Sequence, residues 1–379
     1  MDNFDRQTDR QTDRQTEYYR VVRKDEHIEL LRAVLMLIIV ASHFAVHGGI
    51  VYDSFCFNSA AFYVLRSGGR VATNTFILIT GYYSRNNTIS WEKITRLILQ
   101  VTFYSLVLSG ICVMLGNTPF SISLLLESLF PLLFGSFYWF IIRYLELYLL
   151  TPILNRGMDG LNEKNHAAII LVFSTIFCML PNTIGLFIPT ASFDYSTLIW
   201  FVCLYLIGAF FRRYGSPLYR YKKLSIILLA IVLVVMSVAT VVNTYFRFSE
   251  LPEIIILKIT RKIAAVLSNS NDNGIMPLCI SVLLLIAFQN MSIPLPKWTS
   301  AIGGSVFGIY LIHDHYYFRQ ILWKDICGTV SVQGENYFIF YSLFCVFAVF
   351  MCCCSIELLR QKYIEPLVLK TINKVKQKA

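Results

Sequence analysis

Of the chain's 379 residues, 56% are hydrophobic and 15% charged, and the mean hydropathy is +0.59. Soluble domains are far more polar, so this balance excludes a water-soluble enzyme and leaves a chain solvated mostly by lipid. The net charge of +10 calls for no nucleic acid, because basic loops held against an anionic leaflet account for it.

The chain begins with a polar stretch in which DRQT is repeated three times over residues 5–16. Residues 1–26 read as a disordered, charge-balanced cytoplasmic tail. The period itself points to the gene. A tetranucleotide read in triplets returns to frame every twelve bases, and GACAGACAGACA encodes Asp-Arg-Gln-Thr in that order. A GACA tract inside the coding region would switch expression by slippage, and the expectation is phase-variable expression.

Ten apolar segments follow, at 29–47, 71–84, 94–115, 137–154, 166–181, 196–211, 223–243, 275–290, 301–317 and 338–358. A helical crossing needs about 20 such residues, so the expected fold is an all-α integral membrane protein of about ten transmembrane helices. The second and ninth segments are short and glycine-rich, which predicts tilted or broken helices. Residues 120–135 read as a half-helix. With the N-terminus inside, 23 of the 33 Lys and Arg fall in inner segments and 8 in outer ones. That bias predicts cytoplasmic termini at both ends, with a basic tail over 361–379.

The first segment carries the most unusual polar residues. In IELLRAVLMLIIVASHFAVHGG, Arg32 and His43 are eleven residues apart, which returns to nearly the same helix face about 16 Å further along. His47 follows one turn later and Glu29 precedes Arg32 by three. Arg32 can snorkel to the inner headgroups and His43 can simply bond across helices. Alternatively, the imidazole moves a proton near neutral pH while the guanidinium holds a phosphate-bearing donor.

Beyond the second segment, Arg85, Lys93 and Arg96 make a basic inner loop. It serves as a topogenic signal, and it is also where an anionic nucleotide donor would be met from the cytoplasm. In the fourth segment, Arg143 and Glu146 lie three apart on one face and can neutralise each other, which favours a structural pair. Near the end of the ninth, His313, Asp314 and His315 are consecutive and fan over about 200°, so they cannot all meet one ligand. One of them can face the same cavity as His43, and Asp314 can orient an imidazole or take part in proton transfer. Glu29, His47, Arg143, Glu146 and His313 are thus candidate cavity-lining residues. Eight of the ten cysteines lie within segments, where they act as small apolar residues. Cys56 and Cys327 remain, on the outer side, where they could pair. No CxxC or His/Cys cluster has zinc spacing, so no metal site is expected.

The first segment resembles the opening helix of the membrane-bound acyltransferase-3 family, whose signature is Arg, ten residues, then His. Arg32-x10-His43 meets it, and FILITGYY (76–83), YWFIIRYLELYLLTPILN (138–155) and FGIYLIHDHYYFR (307–319) continue the resemblance in order over about 27–360. The wording is closest to members that O-acetylate bacterial capsules, exopolysaccharides and lipopolysaccharides. The resemblance implies a multi-pass acyltransferase of the bacterial inner membrane. It would take acetyl from cytoplasmic acetyl-CoA, with no permanently bound cofactor, and give it to a surface glycan or its lipid-linked precursor. His43 would be the catalytic base, with Asp314 as a second catalytic candidate. Arg32, Arg85 and Arg96 would hold the donor. Arg143 departs from the uncharged residue expected in its block. Two other classes remain open: a ten-span transporter, which would more often show an internal repeat, and a non-catalytic partner in glycan export.

Overall fold

In a computed structural model of the chain, the described residues are 26–84, 88–134, 138–187, 196–250, 252, 254–268 and 271–368. The DRQT tract and Arg85 lie outside them. Among the described residues the secondary structure is helical, with no strand. The long elements are α1 (Glu26–His47), α2 (Phe57–Tyr83), α3 (Trp91–Met114) and the short α4 (Ile122–Leu129). Then come α5 (Trp139–Asp159) and α6, which runs Glu163–Ser174 and passes through a π-helical turn into Leu180–Phe187. The rest are α7 (Thr197–Tyr214), α8 (Lys222–Phe248), α9 (Ile255–Leu267), α10 (Ile275–Gln289), α11 (Trp298–His313) and α12 (Phe338–Tyr363).

All ten predicted segments correspond to helices, and six of these are long and apolar enough to cross a membrane. The other four are α2, α5, α10 and α11. Two of them are short and two carry several polar side chains. The protein is an all-α, multi-pass membrane protein. Helix α2 packs against α1, α7, α8 and α10, while α11 packs against α1 and α12. The polar α2 and the short α10 and α11 are therefore clad by neighbours, which is how a bundle tolerates helices poorly suited to lipid.

The second predicted segment requires correction. It is neither short nor broken: α2 is a continuous helix of 27 residues, about 40 Å long at 1.5 Å per residue. Gly68 and Gly69, just before the predicted start at 71, lie where α1 crosses. A Cβ on Gly68 would sit 2.7 Å from Ile38, and one on Gly69 would sit 2.5 Å from Ser42 Oγ. The glycines are packing surface, and Ser42 Oγ donates to the Arg66 carbonyl across the crossing at 2.9 Å. Further along, Gly81 and Gly208 let α2 and α7 meet backbone to backbone, against the Tyr205 and Leu78 carbonyls respectively.

Between the seventh and eighth predicted segments lies a further helix. Helix α9 has 13 residues, too few to span. Its Ile255, Ile256, Ile259 and Ile263 are exposed while Lys258, Arg261 and Lys262 interrupt them in sequence. That is the pattern of a helix lying in the membrane interface. The cysteine pair is not formed: all ten cysteines are free, with Cys56 exposed and Cys327 buried.

Candidate functional site

Helices α1 and α11 run in the same direction, because Glu29 lies against Gly303 near their starts and His43 meets His313 near their ends. This parallel packing brings together residues some 270 positions apart. Between α1, α2, α5 and α11 runs a cavity of about 660 Å³, within the usual range for a ligand site. On α1 the stripe Arg32, Met36, Ile39, His43 and His47 lines it; on α2 the stripe is Arg66, Arg70, Thr73 and Thr80. Phe140 and Tyr144 of α5, Tyr310 of α11 and Asp314 just past its end close the far wall, with Arg319 beyond. Because Arg32 and His47 are fifteen residues apart on one helix, the cavity extends about 22 Å along it.

Two contacts fix the state of His43. His313 Nδ1 lies 2.6 Å from the Ile309 carbonyl, which only accepts, so this nitrogen carries the proton. In the neutral ring His313 Nε2 is then an acceptor, and it lies 3.0 Å from His43 Nδ1. His43 Nδ1 must therefore donate, leaving the lone pair on His43 Nε2. His313 is fully buried and stands behind His43, not on the cavity wall.

Asp314 completes the cluster. Its Oδ1 lies 3.5 Å from His43 Nδ1, 3.3 Å from His47 Nε2 and 3.3 Å from Arg319. The carboxylate is 3% exposed, so these partners are what make a buried charge tolerable. His43, His47 and Asp314 also present ligand atoms within 4.8 Å of one another, a grouping that can hold a metal ion. The His43-x3-His47 spacing on one helix was a signal for it that the sequence expectation passed over. The guanidinium of Arg319, however, already occupies the same carboxylate oxygen, and a cation placed there opposes a second one. Hydrogen bonding and charge pairing account for the cluster as it stands.

The remaining candidates separate. Arg32 lines the cavity and reaches Glu29 at 3.4 Å. Glu29 itself is buried between α1 and α11 and does not line the cavity. Arg143 and Glu146 bond each other at 2.7–2.8 Å, both exposed, and neither lines the cavity. They form the mutually neutralising pair that the spacing favours, on a face of α5 away from the cavity. Arg96 pairs with Glu92 at 2.6 Å and is likewise away from the cavity. His315 is turned toward Ser109 of α3, at 3.4 Å.

The sequence reading missed Arg66, Arg70, Trp139 and Arg319 on the cavity wall. Arg66 and Arg70 are one helical turn apart, a spacing visible in sequence once the helix is extended past the glycines. Arg70 bonds Asp272 at 2.8 Å and lies 5.3 Å over the Trp139 ring. Burial raises the Asp272 carboxyl above its ordinary range, against the pull of Arg70.

Compared with known protein families, residues 25–357 match the one described as "Acyltransferase domain". No curated protein and no solved structure matches the chain.

Proposed function

The chain belongs to the membrane acyltransferase-3 family, and from that premise we propose that it O-acetylates a cell-surface glycan. The donor is acetyl-CoA, reaching the cavity from the Arg32 end. The acceptor is a hydroxyl of lipopolysaccharide, capsule or exopolysaccharide, or of a lipid-linked precursor, arriving from the His47 end. The membrane is the bacterial inner membrane. The basic bias of the loops supports the orientation, since it puts the Arg32 end in the cytoplasm.

One observation carries the reading: the ring of His43 lines the same cavity as Arg32 and is backed by His313 and Asp314. A sugar hydroxyl is a poor nucleophile until a base takes its proton, whereas the thioester is already activated. His43 Nε2 accepts the hydroxyl proton as the oxygen attacks the acetyl carbonyl. The tetrahedral intermediate collapses with cleavage of the carbon–sulfur bond, and the leaving thiolate takes the proton back from His43. The products are the acetyl ester and free coenzyme A. During the step the imidazolium is held by Asp314, 3.5 Å away. Arg32 pairs with phosphate of the nucleotide, and the roughly 16 Å from Arg32 to His43 suits an extended pantetheine arm.

The test is transfer of labelled acetyl from acetyl-CoA to glycan by membranes holding the wild type or His43→Ala. Loss of a general base lowers the rate about 10²- to 10⁴-fold. A variant that inserts normally and transfers at the wild-type rate overturns the reading.

The DRQT tract completes the proposal. Phase-variable expression through a GACA repeat suits a surface decoration, and codon order in the gene decides it: varied synonymous codons exclude slippage.

A further inference from the structure

A second cavity, of about 390 Å³, adjoins the first at the His47 end and shares Arg319 with it. Its wall is formed by Asn117, from the turn after α3, and by Tyr316, Tyr317, Gln320 and Asp325 from the segment after α11. A π-helical turn at Ile321–Ile326 carries Asp325; such turns often accompany functional sites. The Tyr316 and Tyr317 rings stand nearly perpendicular, at 89°, with centroids 5.0 Å apart, and make a corner.

The chemistry of this wall selects a ligand. Flat aromatic faces suit the C–H face of a sugar ring, while amide and carboxylate side chains suit its hydroxyls. Phosphate is a poor fit. Among the described residues Arg319 is the one cation on the wall, Asp314 already pairs with it at 3.3 Å, and Asp325 adds negative charge. Arg319 also ties the two cavities together, since its guanidinium lies 5.1 Å over the Tyr316 ring while bonding the carboxylate that faces His43.

We propose that this second cavity is a subsite for the neighbouring sugar of the acceptor, so that the enzyme acts on an oligomeric or polymeric glycan of uncharged or amino sugars, not on a free monosaccharide. The inference rests on the O-acetyltransferase reading above. A hydroxyl of one sugar lies at His43 while the next sugar in the chain stacks on Tyr316 and Tyr317.

The test uses polysaccharide extracted from a strain lacking the gene, and fragments of one and four repeat units prepared from it. Membranes holding the full chain are assayed for acetyl transfer from labelled acetyl-CoA to each fragment. The expected wild-type result is a kcat/KM about tenfold or more higher for the longer fragment. In Tyr317→Ala that ratio falls toward unity, while Tyr317→Phe, which keeps the ring, preserves it. Asn117→Ala, on a different segment, lowers the ratio in the same direction through KM. A wild-type enzyme that transfers acetyl with no preference for length overturns the subsite alone, as does a Tyr317→Ala and Asn117→Ala pair that leaves the ratio intact. Absence of transfer to any fragment by the wild type overturns the enzymatic reading, and the subsite with it.

Discussion

His43 Nδ1 stands 3.0 Å from His313 Nε2, and His313 is itself pinned by the Ile309 carbonyl. A buried imidazole therefore sets the tautomer of the one facing the cavity, as outer partners do for metal-bound histidines. His313→Phe keeps an aromatic ring there but removes the acceptor, freeing His43 to turn or to change tautomer. The expected result is a fall in kcat of at least about tenfold with KM for acetyl-CoA little changed, the pattern of an interaction that matters in the transition state. His313→Gln, which can still accept, should recover part of the rate. A merely structural role would instead lower the amount of folded protein without splitting kcat from KM.

Asp314 gathers two imidazoles and a guanidinium onto one oxygen. With His43 as the proposed base, the carboxylate's charge matters most while the imidazole carries the proton taken from the acceptor. Asp314→Asn keeps the shape and removes the charge, and kcat should fall about 10- to 100-fold. It also leaves Arg319 without its carboxylate, so detergent-solubilised protein should lose thermal stability. Measuring both separates the effects, because a second substitution, Arg319→Gln, should restore stability without restoring rate.

The span pattern was legible because ten apolar stretches, with Lys and Arg concentrated in the inner segments, admit few foldings in lipid. The start of α2 was not, because glycines that permit close helix crossing interrupt the apolar pattern until the partner is known. Within the site, the Arg32–His43 stripe followed from helical spacing alone. That Asp314, not His313 or His315, would line the cavity did not follow. It depends on α11 running parallel to α1, and on α11 ending at His313 so that Asp314 caps it. Arg319 lies past that end, in a segment whose fold is set by packing against α3. Local sequence carries no record of such contacts.

Away from the cavity, Glu357 and Arg360 of α12 form a buried pair at 2.8 Å, 1% and 9% exposed. Tyr104 and Gln100 of α3 donate to the same carboxylate, at 2.6 and 3.1 Å. Removing one partner of such a pair leaves a buried charge, at a cost of about 3–5 kcal/mol. Glu357→Ala should therefore reduce folded yield and thermal stability in detergent sharply. Replacing both residues, as Glu357→Met with Arg360→Leu, should recover much of that loss, since well-packed apolar residues often substitute for a buried pair. Recovery tests whether the pair acts only as a tie between α3 and α12.

Arg32 lies where the cavity begins, and its guanidinium is shared with Glu29 at 3.4 Å. If it holds phosphate of the donor, its contribution is to binding and not to the chemical step. Its side chain is 39% exposed, so screening keeps the effect near the low end for a charge-assisted bond. Arg32→Ala should raise KM for acetyl-CoA about tenfold with kcat nearly unchanged. Arg32→Lys should fall between, because an ammonium keeps the charge but loses the bidentate geometry. Glu29 supplies the opposite sign. Glu29→Gln keeps the shape of the buried side chain while removing the anion that competes with phosphate, so KM should fall. Steady-state assays over a range of acetyl-CoA concentrations check all three. A fall in kcat for Arg32→Ala with KM unchanged would move Arg32 out of donor binding and into the transition state.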